Sequence, residues 1–392
     1  MAKTIGLSGD QAAAYAAKQC DVDVVAAYPI TPQTIIVEEY SNYVADGEVD
    51  TEFICVESEH SAMSACIGAS LTGARVFTAT ASQGLALMHE MLYIASGLRC
   101  PIVMCVANRA LSAPLNIHCD HSDMMGSRDC GWIQVFVENA QEVYDWVIQS
   151  FRIAEDEDVL LPVAVNLDGF TLSHALEDFI ALEDAEVRDF VGVRKPKHWL
   201  APGKAITVGA AVLPDYYMEI KHQQEDALQR SITKIGKVNE LFEKVSGRRY
   251  KAVDTYGLDD AEAAVVCLGS TAGTAKVVSD ALREKGYNVG VVKPWVYRPF
   301  PVEEFLDSVK NVKSLAVLER TISFGAPNEP LFNDVLSTLY KAGRQLKIFN
   351  AVYGLGGRDI SPHEMETLMM EAYRNVEVEE IDKRVRFIGV RG

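Results

Sequence analysis

Short apolar runs alternate with stretches of helical periodicity from about residue 20 to residue 175. The apolar runs lie at residues 53–56, 75–80, 102–106 and 162–166, and the helical stretches at 10–18, 59–72, 85–97 and 141–154. A buried strand followed by a helix, several times over, is typical of a parallel sheet with helices on both faces. The pattern therefore predicts a doubly wound α/β domain.

The pattern changes between residues 176 and 250, where the sequence becomes charged and then helical. We interpret this segment as an extended connection that ends in a long helix. Strand and helix patterns resume near Ala261. Apolar runs then follow at residues 264–269, 289–294 and 314–319. The chain is therefore predicted to hold two doubly wound units, residues 1–250 (including the connection) and residues 251–392.

A stiff turn follows the apolar-rich segment at residues 22–27. Its sequence is Tyr28-Pro-Ile-Thr-Pro, and its two prolines fix φ and bias the preceding residues toward extended geometry. Open α/β sheets bind ligands at the carboxyl ends of their strands. The turn, with the hydroxyl of Thr31, is therefore either an ordinary proline turn or part of a ligand site.

A carboxylate begins the helix predicted after residues 53–56. Ser58 is a favourable N-cap, and Glu59 falls in the first turn, where the helix dipole favours an anion. Helical spacing places Glu59 on one face with the apolar residues Ala62, Met63, Cys66 and Ile67. Glu59 is therefore either a surface carboxylate stabilised by the dipole or a buried carboxylate with a functional proton.

Two further strand ends carry residues suited to a ligand. The segment 77–90 is predicted to be a strand, a turn of small residues with Gly84, and a helix, so its backbone can approach a ligand closely. Arg109 follows the strand at 102–106, and its planar guanidinium is a natural receptor for a carboxylate. A structural ion pair is the alternative role for this arginine.

These segments resemble one enzyme family when they are taken in order. They are Tyr28-Pro-Ile-Thr-Pro, Glu57-Ser-Glu-His, Thr80-Ala-Ser-Gln-Gly, Asn108-Arg-Ala and Asp120-His-Ser-Asp, followed by Leu268-Gly-Ser-Thr-Ala-Gly, Tyr297-Arg-Pro-Phe-Pro and Gly354-Leu-Gly-Gly-Arg-Asp. The chain resembles the α subunit of the multi-subunit 2-oxoacid:ferredoxin oxidoreductases, and the pyruvate type (pyruvate synthase) above all. Each motif is weak alone, but the ordered set spans nearly the whole chain.

The resemblance implies a fold and a cofactor. The fold is a pyrimidine-binding domain for thiamine diphosphate followed by a transketolase C-terminal-like domain. The cofactor would lie between this subunit and a partner, with Glu59 bonded to a ring nitrogen of its aminopyrimidine. Tyr28, Pro29, Ile30 and Gln83 are the other residues expected to bind the cofactor.

The resemblance also implies a reaction, the oxidative decarboxylation of a 2-oxoacid with coenzyme A to acyl-CoA, CO₂ and reduced ferredoxin or a similar acceptor. Thr31 and Arg109 would act with Glu59 in catalysis and, with Asn116, bind the 2-oxoacid. The segment His118–Asp123 departs from the common pyruvate-type pattern, so a larger aryl 2-oxoacid such as phenylglyoxylate stays open beside pyruvate. A non-redox transketolase-like enzyme and a non-catalytic scaffold subunit are the rival classes.

The eight cysteines contain no C-x-x-C pair, so the usual spacing of zinc and iron–sulfur ligands is missing. His118-Cys-Asp-His also matches no closed metal site, and no G-D-G motif followed by Asn is present. We therefore expect no metal on this chain. The resemblance assigns Mg²⁺ and [4Fe-4S] clusters to partner subunits of the β, γ and δ types, in a dimer of the heteromer.

Two glycine-rich segments have weaker signals. Gly269 to Gly273 opens a helix and could hold an anion there, but the complete dinucleotide or phosphate-loop pattern is missing, so a tight turn is favoured. Gly354 to Asp359 is interpreted as a structural loop in which Arg358 and Asp359 pair across a domain or subunit interface.

The net charge of −18 at pH 7 argues against a nucleic-acid surface. No apolar run reaches the roughly 18 residues of a membrane span, and the N-terminus shows no secretory hydrophobic region. We therefore expect a cytoplasmic protein that binds neither nucleic acid nor membrane.

Overall fold

The computed structural model describes residues 3–382 and 384–391. The elements of the first part are β1 (Lys3–Ser8), α1 (Gly9–Gln19), β2 (Val24–Ala27), α2 (Thr34–Ala45), β3 (Glu52–Cys55), α3 (Glu59–Leu71), β4 (Val76–Thr80), α4 (Ser82–Leu87), α5 (His89–Gly97), β5 (Ile102–Asn108), α6 (Ser122–Gly126), β6 (Ile133–Phe136), α7 (Ala140–Ala154), β7 (Val163–Asp168), β8 (Leu176–Ala181), α8 (Asp184–Val191) and α9 (Pro214–Ser246). The elements of the second part are β9 (Val253–Tyr256), β10 (Ala263–Val266), α10 (Thr271–Glu284), β11 (Val289–Pro294), β12 (Val296–Arg298), α11 (Val302–Ser308), β13 (Ser314–Glu319), α12 (Pro330–Lys341), β14 (Lys347–Val352), α13 (Pro362–Asn375) and β15 (Arg386–Phe387).

The first sheet has seven strands in the order β12-β6-β7-β5-β4-β2-β3. Its strands are parallel except β12, which runs antiparallel to β6. Every position of β4, β5 and β7 is buried, as expected for central strands covered on both faces. Helices α1, α2 and α7 pack in one core cluster with this sheet, and α3 and α5 pack in another.

The second sheet has six strands in the order β15-β14-β13-β10-β11-β9, with β9 antiparallel to β11. Helices α10 and α13 share a core cluster with it, and α11 and α12 belong to a different one. A separate antiparallel pair, β1 with β8, lies outside both sheets. The alternating pattern of the sequence thus gives two wound sheets.

Three features differ from the sequence-based expectation. The helix predicted over residues 85–97 is divided into α4 and α5 at Met88. The segment 176–250 contains β8 and α8 before the long helix α9. Strand β12 comes from the second part of the chain but belongs to the first sheet, because Val296 pairs with Val135. The division at residue 250 stays a prediction.

The two sheets share one apolar core cluster. Phe136 of β6 contacts Tyr297 of β12 edge to face, with ring centroids 5.9 Å apart. A buried ion pair lies nearby, since Nζ of Lys293 is 2.7 Å from Oε1 of Glu142. These contacts fix the second unit against the first and therefore fix which loops face each other.

Among the residues that the structure describes, no helix combines the length and apolar character needed to cross a bilayer.

Candidate active site

The predicted site residues lie at one edge of the first sheet. The Tyr28 turn follows β2, Glu59 follows β3, Gln83 follows β4 and Arg109 follows β5 directly. Because these strands are parallel neighbours, their carboxyl ends meet at the same edge. Asp168, at the end of β7, lies at this edge too.

Glu59 is buried at the start of α3, with 6% of its surface exposed. Ser58 caps the helix by accepting a hydrogen bond from the amide of Ser61. The carboxylate lies against Gly84, where an added Cβ would be 2.6 Å from Oε1. No residue within the described ranges donates a hydrogen bond to this carboxylate. Of the two alternatives for Glu59, the structure therefore shows the buried carboxylate. The position of a hydrogen-bond donor to it is free for a ligand.

The turn after β4 carries further unpaired polar atoms. Oγ1 of Thr80 and Nε2 of Gln83 are buried without a hydrogen-bond partner in the structure. Ser82 has φ of +47°, in the left-handed region that a non-glycine residue adopts at a cost. Its hydroxyl donates to the carbonyl of Ala110 at 2.6 Å, which helps to hold this conformation. The turn is therefore a fixed support for the atoms around Glu59.

The proline turn is anchored by Gln33, which is fully buried. Its Nε2 donates to the carbonyl of Ala79 at 2.7 Å, and its Oε1 accepts from the amide of Ile30 at 3.2 Å. Tyr28 and Thr31 remain exposed in this chain. The sequence did not single out Gln33, whose only signal was a polar residue directly after the second proline.

Arg109 connects two loops through their backbone. Its Nη1 donates to the carbonyl of Thr31 at 2.8 Å, and its Nε donates to the carbonyl of Asn116 at 3.0 Å. The guanidinium forms no ion pair with any described residue, and its Nη2 makes no hydrogen bond there. Burial lowers the pKa of Arg109, whereas the Asp123 carboxylate acts in the opposite direction. The structure thus brings together all three residues predicted to bind substrate.

Asp123 joins the Ser82 turn to the residue that follows β5, Arg109, by accepting hydrogen bonds from both. Its Oδ2 accepts from the amides of Ser82 at 3.0 Å and Arg109 at 2.9 Å. Its Oδ1 accepts from Nδ2 of Asn108 and from the amide of Met124. Burial raises the pKa of Asp123, although these four hydrogen bonds lower it. Asp123 stood out in the sequence only as the last residue of a motif, because Ser82, Asn108 and Arg109 are distant from it along the chain.

Asp168 is a second buried carboxylate, and it is fully paired. Its Oδ1 lies 2.7 Å from Nε2 of His121, and its Oδ2 lies 2.9 Å from Nη1 of Arg320. The amide of Ser270, at the start of α10, also donates to Oδ2. Burial raises the pKa of Asp168, but Arg320 and His121 outweigh it and hold that pKa below its usual range. The anion at the Gly269 turn is therefore an internal carboxylate.

Cys119, His121 and Asp168 bring possible metal ligands within 4.8 Å of one another. A cation there would compete with the guanidinium of Arg320 for the same carboxylate. Burial also raises the pKa of the Cys119 thiol well above its usual value, which disfavours the thiolate that binds metals. The cluster is therefore best explained as an ion-pair network between the two units.

The pairing of Arg358 and Asp359 across a domain or subunit interface stays a prediction. Arg358 donates to the carbonyl of Gly389 within the second unit. The glycine backbone that precedes Arg358 contacts the first unit, since the amide of Gly356 donates to Oδ2 of Asp120 at 3.2 Å. This backbone contact left no signal in the sequence.

Family comparisons agree with this arrangement of the site. Residues 15–240 match the thiamine diphosphate-binding domain of the pyruvate flavodoxin/ferredoxin oxidoreductases, and residues 261–365 match core domain II of pyruvate:ferredoxin oxidoreductase. This chain belongs to the pyruvate:ferredoxin oxidoreductase family. The resemblance noted in the sequence is thereby confirmed, as is the expectation of an oxidoreductase.

Similar proteins extend over almost the whole chain. The chain is 52% identical to the pyruvate synthase subunit PorA of Methanocaldococcus jannaschii, over 93% of both chains. It is 49% identical to PorA of Thermotoga maritima, over 99% of this chain and 98% of the other. It is 43% identical to the ketoisovalerate oxidoreductase subunit VorA of Pyrococcus horikoshii, over 97% and 96%. Because these relatives are subunits, this chain is one subunit of a multi-subunit enzyme.

Solved structures show the same fold. The 2-oxoglutarate:ferredoxin oxidoreductase of Magnetococcus marinus aligns with a TM-score of 0.75 at 20% identity, covering 94% of this chain and 65% of that one. A split-gene transketolase, described as an inactive β4 tetramer, aligns with a TM-score of 0.57 at 13% identity, covering 94% and 99%. The predicted fold, a thiamine diphosphate-binding domain followed by a second α/β domain, is confirmed.

The polar atoms around Glu59 fit the aminopyrimidine of thiamine diphosphate. The Glu59 carboxylate, which accepts no hydrogen bond from the described residues, requires a donor, and the buried, unpaired Nε2 of Gln83 requires an acceptor. Ring nitrogens and an amino group on one flat heterocycle supply both kinds of group. A buried polar atom without a partner costs about 1–3 kcal/mol, so a ligand that pairs with these atoms relieves that cost.

Proposed function

We propose that this chain is the α subunit of a thiamine diphosphate-dependent 2-oxoacid oxidoreductase that acts on pyruvate. The reaction is oxidative decarboxylation with coenzyme A, giving acetyl-CoA, CO₂ and reduced ferredoxin or a similar acceptor. The observation that carries the proposal is the buried, unpaired carboxylate of Glu59 beside Gly84, at the same sheet edge as Arg109. The names of the pyruvate synthase relatives support the choice of pyruvate.

Glu59 would accept a hydrogen bond from a pyrimidine nitrogen and share a proton with it. Burial strengthens this coupling, because few other dipoles screen the carboxylate. Tyr28, Pro29, Ile30 and Gln83 would shape the surrounding pocket. Thiamine diphosphate, when bound, supplies a nucleophilic carbon for the 2-oxo group and an electron sink for the decarboxylation.

Arg109 would bind the carboxylate of the 2-oxoacid. Two of its nitrogens already hold the carbonyls of Thr31 and Asn116, so the guanidinium is fixed and its Nη2 is available. The exposed hydroxyl of Thr31 would bond a substrate oxygen, and the amide of Asn116 would border the same space. Such fixed groups position a substrate without paying for ordering at the moment of reaction.

Partner subunits would complete the enzyme. We infer that β, γ and δ-type subunits carry Mg²⁺ and the [4Fe-4S] clusters, because the cysteine spacing of this sequence suits neither zinc nor iron–sulfur binding. The complex would be a dimer of the heteromer in the cytoplasm, with residues 1–250 and 251–392 as its two α-subunit domains. Electrons would leave this chain's site through the partner clusters.

The proposal is tested on the complex purified with its native partner subunits. The reduction of ferredoxin is followed with pyruvate, 2-ketoisovalerate, 2-oxoglutarate or phenylglyoxylate, each with and without coenzyme A. We expect the highest kcat/KM with pyruvate, dependence on coenzyme A and thiamine diphosphate, and no turnover by the chain alone. A preference for phenylglyoxylate would correct the substrate, whereas no reduction with any 2-oxoacid would refute the function.

A further inference from the structure

The second unit has a loop, Gly354–Gly357, that lies against the segment Asn116–Asp120 of the first unit. We propose that this loop is a brace that positions Arg109 for the substrate, so that the second unit contributes to 2-oxoacid binding without touching the substrate. The proposal rests on the proposed function, because it takes Arg109 as the carboxylate receptor.

Three hydrogen bonds join the brace to the substrate-side segment. Nδ2 of Asn116 donates to the carbonyl of Gly356 at 2.9 Å. The amide of Gly356 donates to Oδ2 of Asp120 at 3.2 Å, and the amide of Gly357 donates to the carbonyl of Cys119 at 2.6 Å. On the brace side the contact is therefore made by backbone atoms. On the other side it reaches both ends of the segment, Asn116 and Cys119–Asp120.

The last two brace positions both favour glycine. Gly356 and Gly357 have φ of +59° and +80°, in the left-handed region. An added Cβ would lie 2.3 Å from Nδ2 of Asn116 at position 356, and 2.3 Å from Cβ of His118 at position 357. A side chain at position 357 would push the segment away, whereas one at position 356 would displace only the end of the Asn116 side chain. The close approach at Gly357 is therefore a built feature of the interface.

The braced segment leads directly to the arginine. The carbonyl of Asn116, whose side chain bonds the brace, accepts the hydrogen bond from Nε of Arg109. The amide of Ala110 donates to the carbonyl of His118 at 3.0 Å, which closes the loop over the arginine. A shift of the segment therefore moves one of the two carbonyls that hold the guanidinium.

The base of the brace is rigid as well. Nε of Arg320 donates to the carbonyl of Gly354 at 3.3 Å, while its Nη1 bonds the buried carboxylate of Asp168. The backbone carbonyl of Arg320 accepts from the amide of His121 at 2.8 Å. The brace thus stands on the ion-pair network between the units, close to the segment that it holds.

The test compares two glycine-to-alanine variants in the complex purified with its partner subunits. Gly357→Ala introduces a Cβ against His118, whereas Gly343→Ala changes a glycine of similar φ, +65°, with nothing within 4 Å of the added Cβ. Both variants carry the backbone strain, but only the first displaces the segment. We expect Gly357→Ala to lower kcat/KM for pyruvate by roughly 10- to 100-fold, mainly through KM, and Gly343→Ala to leave KM unchanged.

Two further measurements separate positioning from general damage. The exchange of the thiazolium proton of bound thiamine diphosphate should keep its wild-type rate in Gly357→Ala, because Glu59 and Gly84 do not contact the brace. Adding His118→Gly to Gly357→Ala removes the atom at 2.3 Å, so KM should return to that of His118→Gly alone.

A milder variant keeps the test valid if Gly357→Ala does not assemble. Gly356→Ala meets only the rotatable end of Asn116, and we expect a smaller rise in KM. A wild-type KM in both brace variants, or a parallel loss of proton exchange, would overturn the brace. A wild-type complex without 2-oxoacid activity would instead overturn the proposed function.

Discussion

Glu59 and Asp168 are two carboxylates buried at the same edge of the first sheet, and their surroundings differ completely. Asp168 has 1% of its surface exposed and is paired with Arg320, His121 and Ser270. Glu59 has 6% exposed and accepts no hydrogen bond within the described part of the chain. Burying a charge without partners is costly, so the two carboxylates must have different roles.

The difference indicates which carboxylate belongs to the fold and which belongs to a ligand. Asp168 is saturated by donors from both units and has no capacity left for a substrate. Glu59 keeps its full hydrogen-bonding capacity, and a glycine beneath it prevents any side chain from filling the space. Changing each carboxylate to its amide should therefore affect different properties of the protein.

Asp168→Asn should have the largest effect, and on stability. Removing the charge leaves Arg320 buried without its counter-ion, which costs about 3–5 kcal/mol. The free energy of unfolding is measured by urea denaturation. Stability within about 0.5 kcal/mol of wild type would show that the network contributes little.

The same carboxylate should determine part of the acid sensitivity. Because the pKa of Asp168 is lower in the folded protein than its ordinary value, its contribution is complete above about pH 4. It is lost as the pH falls toward the folded-state pKa. In Asp168→Asn this loss is absent, so stability should fall less steeply between about pH 4 and pH 2. An unchanged slope would contradict the low pKa.

Glu59→Gln should leave stability intact and remove catalysis. The amide has the same shape, and no hydrogen bond from any residue that the structure describes is lost. Activation of the cofactor should fall by about 3–4 kcal/mol of barrier, the size of a lost catalytic electrostatic contact. Thiazolium proton exchange in the complex is the decisive measurement, with urea denaturation as the control. Normal exchange in the variant would exclude the assigned role.

Arg109→Lys should have an intermediate effect, and it should change only the kinetics with the 2-oxoacid substrate. Lysine keeps the charge but cannot hold the carbonyls of Thr31 and Asn116 and still offer a donor to the substrate in a fixed plane, as Arg109 does with its Nη2. We expect a lower kcat/KM for pyruvate, equivalent to a loss of about 1–3 kcal/mol of transition-state stabilisation. The affinity for thiamine diphosphate should be unchanged. Unaltered pyruvate kinetics with a destabilised fold would make Arg109 a purely structural residue.

Thr31→Val should have the smallest effect. The carbonyl that accepts from Arg109 belongs to the backbone and survives the substitution, so only the exposed hydroxyl is lost. We expect a lower kcat/KM, equivalent to a loss of about 0.5–1.5 kcal/mol of transition-state stabilisation. This is the contribution of one ordinary hydrogen bond. A loss as large as that of Arg109→Lys would indicate that the turn itself has moved.

Local patterns were enough to predict the main strands of both sheets and the helix face on which Glu59 lies, but they left its burial open. The apolar runs gave β4, β5, β7 and the main strands of the second sheet, because central strands of a parallel sheet are apolar throughout. Helical spacing placed Glu59 on the apolar face of α3, where the structure has it. Periodicity works here because each of these elements buries a complete face.

The missed features all depend on contacts between distant segments. Gln33 bonds a backbone carbonyl of β4 and Asp123 bonds the backbone of the Ser82 turn, and nothing in their neighbouring sequence reveals those partners. Strand β12 has three residues, which is too short to give a period. The contact of Gly356 with Asp120 was missed because the glycine backbone makes it.

Strand β12 also has a consequence for how the protein is made. Synthesis delivers β6 long before Val296, the residue that pairs with it, leaves the ribosome. The open edge of β6 is exposed until then, and such an edge is prone to pair with other chains. The amide of Phe136 meets the carbonyl of Trp295 only at that later stage. A nascent chain that stalls between residues 250 and 295 would therefore carry an unfinished sheet and depend on chaperones.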